Sequence, residues 1–310
     1  MVVLKVSMYN LDYENLVFLV GLSRRCGTNY LDRLLSLHPD IQGVGIIKED
    51  LIFAHLSSVS EFVEQLNRLW HWDGINEYTS NGSMIFSTIG KSILEILVNQ
   101  PISPNSERHL NCKSIRYLTK SPVARNIHYF DEFFPSNRAI TLIRHPFDAI
   151  YSMKKAFGMT TLSAAKQWKE GANALLKYQS TTSKKNILIV KYEDLRSNTK
   201  GSILNILEHI GMSNTPYDFD AAYKLPPFGA TSTSKNRNGP AWRETSDTCK
   251  GNQASQECKL SFIDKGIVSF LTDGYSSHLG YKIHTPLLAK PLARYYLYYN
   301  RLYNISKKLK

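Results

Sequence analysis

Leu16 to Val20 are apolar at every position, and the residues after them leave the chain few ways to fold. A short run of this kind suits a strand covered on both faces, as in a parallel sheet. Gly21 to Gly27 is a brief basic turn holding Arg24 and Arg25. Beyond it Tyr30, Leu31, Leu34 and Leu35 repeat at helical spacing until Pro39 stops the pattern. A strand, a tight Gly-bounded turn and a helix start make an anion site, because unpaired backbone N–H groups and the helix dipole converge there. An ordinary βα turn is the plain alternative.

The turn resembles a nucleotide P-loop without its lysine: Thr28 follows Gly27, and the nearest cation is Arg25. Arg25-Cys26-Gly27-Thr28-Asn29 also resembles the R-S-G-T-T loop of sulfotransferases, the enzymes that use 3′-phosphoadenosine 5′-phosphosulfate (PAPS). Cys26 stands where that loop has Ser, and Asn29 where it has a second Thr. Further resemblances follow in order along the chain. Lys120-Ser121-Pro122 is similar to the K-[SDT]-P element, whose Lys contacts the transferring group. Arg144, with Ser152 eight positions later, has the spacing of the 3′-phosphate motif. Tyr192-Glu193-Asp194-Leu195 is similar to Y-E-D-L, whose aromatic lies against adenine.

The resemblance implies that Arg25, Cys26, Gly27, Thr28, Asn29 and Tyr30 bind the phosphosulfate end of PAPS. Arg144 and Ser152 then hold the 3′-phosphate, and Tyr192 the adenine. An arginine suits that phosphate because its fork binds two oxygens in fixed geometry. A salt bridge from Arg144 to Asp148 is the structural alternative. Arg25 and Lys120 offset charge on the sulfuryl group, and Glu49 accepts the acceptor's proton; Asp50 and His55 stay open as the base. A late Ser/Thr and basic loop completes family sites, which points to Ser232 or Ser234 for the sulfuryl oxygens and Lys235 or Arg237 for the 3′-phosphate. A sulfuryl group carries less charge than a phosphoryl, so no metal ion is expected.

The residues themselves predict strands at Ile41–Ile47, Cys112–Leu118, Arg138–Ile143 and Asn186–Val190, alternating with helices. Ser121 and Pro122 suit the N-cap and first position of a helix, as does Pro146. Amphipathic segments at Val59–Trp70 and Ile89–Val98 frame a polar stretch. Leu162–Tyr178, Gly201–Ile210 and Phe262–Leu271 read as helices, while Leu225 to Gln256 reads as a long loop. Glu193 and Asp194 are expected to cap or brace the helix that follows, Gly201–Ile210. The outcome is an α/β chain: a parallel β-sheet flanked by helices, in a P-loop-like sulfotransferase fold. Residues 1–285 form one domain, with acceptor-facing insertions near 49–110 and 225–260, and residues 286–310 form a basic, aromatic C-terminal helix.

Composition narrows the partners. A net charge of +12 implies anions, though not which ones. Four scattered cysteines make neither a disulfide scaffold nor a C-x-x-C site. The first fifteen residues hold too short an apolar run for a signal peptide, so a cytoplasmic chain is expected. The expected acceptor is a small metabolite or natural product, at a hydroxyl or amine, with a saccharide or a peptide tyrosine as the alternative. The rivals are a P-loop kinase or NTPase, and a nucleic-acid-binding module, which needs a continuous basic stripe. For the C-terminal helix, docking on the domain or on a second copy in a homodimer is favoured over membrane contact.

Overall fold

The computed structural model describes residues 15–44, 49–72, 82–98, 115–182, 186–226, 228–231, 241–244, 260–296 and 298. The chain begins with β1 (Leu16–Gly21), α1 (Thr28–Leu35) and β2 (Ile41–Gly43), followed by the helices α2 (Ile52–Trp72) and α3 (Gly82–Val98). Next come β3 (Arg116–Ser121), the short α4 (Phe130–Phe133), β4 (Arg138–Ile143), α5 (Pro146–Phe157) and α6 (Thr161–Thr181). The last third holds β5 (Ile187–Lys191), α7 (Tyr192–Ser197), α8 (Thr199–His209), α9 (Phe219–Lys224), a hairpin of β6 (Phe228–Thr231) and β7 (Ala241–Glu244), and α10 (Phe262–His278). A final helical stretch covers 289–296.

Five strands form one parallel sheet in the order β2-β3-β1-β4-β5. β1 lies at its centre, paired with β3 on one side and β4 on the other. Its side chains divide strictly by parity, as the two-residue period of a strand requires. Leu16, Phe18 and Val20 enter one core, and Val17 and Leu19 enter another with Leu31, Leu34, Ile203 and Ile206. Phe18 sits among Phe53, Phe130 and Phe134, with ring centroids 5.5, 5.6 and 4.6 Å away. Burying each such ring contributes about 2–3 kcal/mol. The sheet is therefore covered on both faces, as the unbroken apolar run predicts.

Close approach fixes the geometry at the end of β1. A Cβ on Gly171 of α6 would lie 1.9 Å from the Leu22 carbonyl oxygen, so this helix crosses the strand end with no room for a side chain. Trp168, one turn earlier, donates from Nε1 to the Arg144 carbonyl at 3.1 Å. The ends of β1 and β4 are thus pinned to the same helix.

Several boundaries differ from the sequence reading. β2 keeps only Ile41–Gly43 of the expected strand, and residues 45–48 lie outside the described set. Of the strand expected at Cys112–Leu118, residues 112–114 lie outside the described set; β3 runs three residues past the expected end, through Lys120 and Ser121, with Val20 opposite Ser121. Ser121 is therefore not a helix cap, and no helix starts at Pro122. The polar end of β3 is tolerated because Asp50 accepts hydrogen bonds from the Thr119 and Ser121 hydroxyls. The expected loop at 225–256 contains the antiparallel β6–β7 pair, held by backbone bonds that side-chain periodicity does not report. Helices α2, α3, α6 and α10 all extend beyond the apolar stretches that mark them.

Candidate active site

The turn after β1 is built from backbone conformations that only some residues adopt. Arg25 has φ 69° and Gly27 φ 101°, both in the left-handed region. At Gly27 two constraints meet, because a Cβ there would lie 2.5 Å from the Tyr192 ring. The Gly27 carbonyl accepts from the Tyr30 and Leu31 N–H groups at 3.0 and 3.1 Å, which starts α1. No side chain caps this helix and no acidic residue occupies its first turn. Its N-terminus thus keeps the positive end of the dipole for an incoming anion.

The loop residues divide by what they can offer. Cys26 is 1% exposed, with its sulfur in the core 3.5 Å from the Ser23 hydroxyl, and burial pushes its thiol pKa up. Only its backbone can face a ligand. Thr28 is buried at the helix start, and Asn29 Oδ1 is buried with no hydrogen-bond partner. The Tyr30 N–H bonds Gly27, and its ring packs in the core 6.3 Å from Tyr192, with the Arg196 guanidinium 5.5 Å away.

Residues far apart in sequence converge beside the loop. Arg25 Nε donates to the Ser152 hydroxyl at 3.1 Å, and Arg144 Nη1 donates to the Arg25 carbonyl at 3.3 Å. The Arg144 guanidinium also lies 4.5 Å from the centre of the Tyr192 ring, a cation–π contact. Arg144 Nε is buried with no partner. Burial, and then the charge of Arg144, lower the pKa of Arg25. Two guanidinium groups set together in a half-buried place form a strong field for an anion.

A network behind these residues holds the β4 end in place. Glu193 accepts from the His145 N–H at 2.8 Å with one oxygen and from the Tyr281 hydroxyl at 2.8 Å with the other. Glu193 thus ties three segments together, where capping or bracing of the following helix was expected. His145 is the N-cap residue of α5, with Pro146 in the first turn. Nothing near Glu193 in sequence signals this role, because its partners lie 48 and 88 residues away.

On the other side of the loop stands a second group. Lys120 pairs with Asp32 at 3.2 Å and is 11% exposed. Glu49 lies in the field of Lys120, Arg24 and Arg25, yet burial outweighs them and raises its pKa. Asp50 is more deeply buried, and its pKa is raised by that burial. Its oxygens accept from Thr119 at 2.6 Å, from Ser121, and from the Ile52 N–H at 2.9 Å; its own N–H donates to the Lys120 carbonyl at 2.9 Å. This bracing holds the turn at Leu51, whose φ is 54°. Asp50 is a strut, and His55 points to solvent from α2. Of the three candidate bases, Glu49 is the one set among the cations.

Ser232, Ser234, Lys235 and Arg237 lie outside the described residues, although the backbone of β6 approaches α1. Among the described residues, no group of three or more His, Cys, Asp or Glu could hold a metal ion, and no helix is long and apolar enough to cross a membrane.

A doubly covered parallel sheet, a glycine-bounded loop with Arg25 at the end of its central strand and Arg144 at the neighbouring strand end define a P-loop-like transferase fold. Residues 16–216 match the sequence model of the sulfotransferase family, and the chain belongs to that family. Among solved structures, it is similar to the sulfotransferase domain from the Synechococcus PCC 7002 olefin synthase, at 16% identity and TM-score 0.44, covering 90% of this chain and 98% of that one. It is similar to mouse sulfotransferase SULT7A1 complexed with PAP, at 12% identity and TM-score 0.45, covering 89% and 92%. A third is the sulfotransferase domain from the curacin biosynthetic pathway, at 13% identity and TM-score 0.41, covering 86% and 98%. A search of curated proteins gave no match.

Proposed function

We propose that this sulfotransferase moves the sulfuryl group of PAPS to a hydroxyl or amine of a small acceptor, in line and without a metal ion. The observation that carries this reading is the convergence of Arg25, Arg144, Ser152 and Tyr192 beside an uncapped helix start. The residues fit the donor. The backbone N–H groups of Cys26 to Asn29 and the Thr28 hydroxyl hold its phosphosulfate. Arg144, with its buried unpartnered Nε, and Ser152 hold its 3′-phosphate, and Tyr192 lies along the adenine.

In this reading Arg25 and Lys120 stabilise charge developing on the bridging oxygen and the sulfuryl group, a preorganised electrostatic contribution. Glu49, within their field, accepts the acceptor's proton as its oxygen or nitrogen attacks. Asp32 fixes the Lys120 ammonium, and Glu193 fixes the strand end that carries Arg144.

The test is direct. Arg25→Ala and Arg144→Ala should each lower transfer from PAPS by about 10²–10³-fold, the loss expected for one preorganised charge contact. 3′-Phosphoadenosine 5′-phosphate with a chelator present should raise the melting temperature of the parent chain by roughly 3–6 °C at a hundredfold excess over Kd. Unchanged turnover in both variants, or stabilisation by ATP and Mg²⁺ alone, would overturn the reading in favour of a P-loop kinase.

A further inference from the structure

The helical stretch at 289–296 has two faces with different uses. Ala289 and Ala293 are fully buried against α10, where Gly266 lets the backbones touch: a Cβ there would lie 2.1 Å from the Ala289 carbonyl oxygen. That seam sets the helix against α10. The remaining surface is apolar and open. Leu288, Leu292 and Tyr295 fall at i, i+4 and i+7, on one side of a helix, and are 65%, 51% and 70% exposed. Leu287, Tyr296 and Tyr298 extend this surface, and Phe270 of α10 joins it across a groove of about 580 Å³.

Charge decides what covers this surface. Lys290 and Arg294 line the same groove, Lys290 being paired with Asp273 of α10. The sequence from Leu287 onward also carries Arg301, Lys307, Lys308 and Lys310, and not one Asp or Glu. A second copy of the chain would set this basic segment against its equal. Leucine and tyrosine interleaved with lysine and arginine, where no helix among the described residues is long and apolar enough to span, match the boundary between lipid headgroups and acyl chains. We infer that residues 287–296, with Tyr298, form a peripheral membrane-binding surface, taking bilayers that carry anionic lipids, with the Leu288–Leu292–Tyr295 side inserted and the basic flank at the headgroups.

Flotation of the full chain with vesicles of phosphatidylcholine, with or without phosphatidylglycerol, tests this, together with its mass by light scattering. The expected result is co-flotation with the anionic vesicles, lost at high salt. Leu292→Glu should weaken it by about tenfold or more. Arg294→Gln should weaken it about fivefold, the worth of one basic residue near an anionic surface. Both positions are exposed, so melting temperature and affinity for 3′-phosphoadenosine 5′-phosphate should stay at parent values. Equal binding to neutral vesicles, equal binding by Leu292→Glu, or absence of binding would overturn the inference. A dimer that Leu292→Glu dissociates, without vesicle binding, would assign the face to a second copy.

Discussion

Glu49 is the residue on which the pH behaviour of transfer should turn. A base works only when ionised, and burial raises the Glu49 pKa against the pull of Lys120, Arg24 and Arg25. Activity should therefore fall as pH drops through a value above the ordinary one for glutamate, and be full above it. Glu49→Gln should lower kcat by about 10²–10⁴-fold and remove that acidic limb from the profile. A limb that survives the substitution would hand the role to another group. Sequence pattern leads to Glu49, Asp50 and His55 alike, since all three follow β2. Only the contacts separate them: Asp50 is consumed by Thr119, Ser121 and Ile52, and those partners come from two different parts of the chain. Cys26 shows the same limit. The thiol stands at a loop position that suggests a ligand, but the fold turns it into the core.

The joint between β3 and α2 depends on one carboxylate, although neither element's own sequence reveals it. Asp50→Ala would strand two hydroxyls and a backbone N–H, at a cost of about 2–4 kcal/mol. Urea denaturation measures this; a loss below about 1 kcal/mol would mean that the network contributes little. At the level of elements the sequence is more informative than at the level of contacts. β1 is legible because burial on both faces writes an unbroken apolar run, and β4 because its buried apolar run is broken only by Thr141. β3 runs three residues past its expected end because its C-terminal half, Thr119 to Ser121, is polar and reads as a turn until Asp50 is seen to satisfy it. The β6–β7 pair escapes detection for a different reason. Its four-residue strands are joined through main-chain bonds, which carry no side-chain signature.

Across the molecule, the family match spans residues 16–216, whereas α10 and the helix after it lie beyond that range. Gly266 is the closest backbone approach between these last two elements, which the Lys290–Asp273 pair also joins. Gly266→Ala should overpack the seam by about 1–3 kcal/mol. Melting temperature should drop and proteolysis between residues 282 and 296 should quicken, while donor affinity holds. An unchanged cleavage pattern would show that the seam yields without cost. The sheet order has a further effect, on the birth of the protein. β1 meets neither flanking strand until Tyr117 and then Arg138 have been made, so its backbone waits through roughly a hundred codons without a pairing partner, covered at most by α1 and α2. The loop that begins the chain's chemistry is completed late in its synthesis. A nascent fragment ending before Ile143 would present a sticky, unsatisfied ribbon, a natural client for a chaperone.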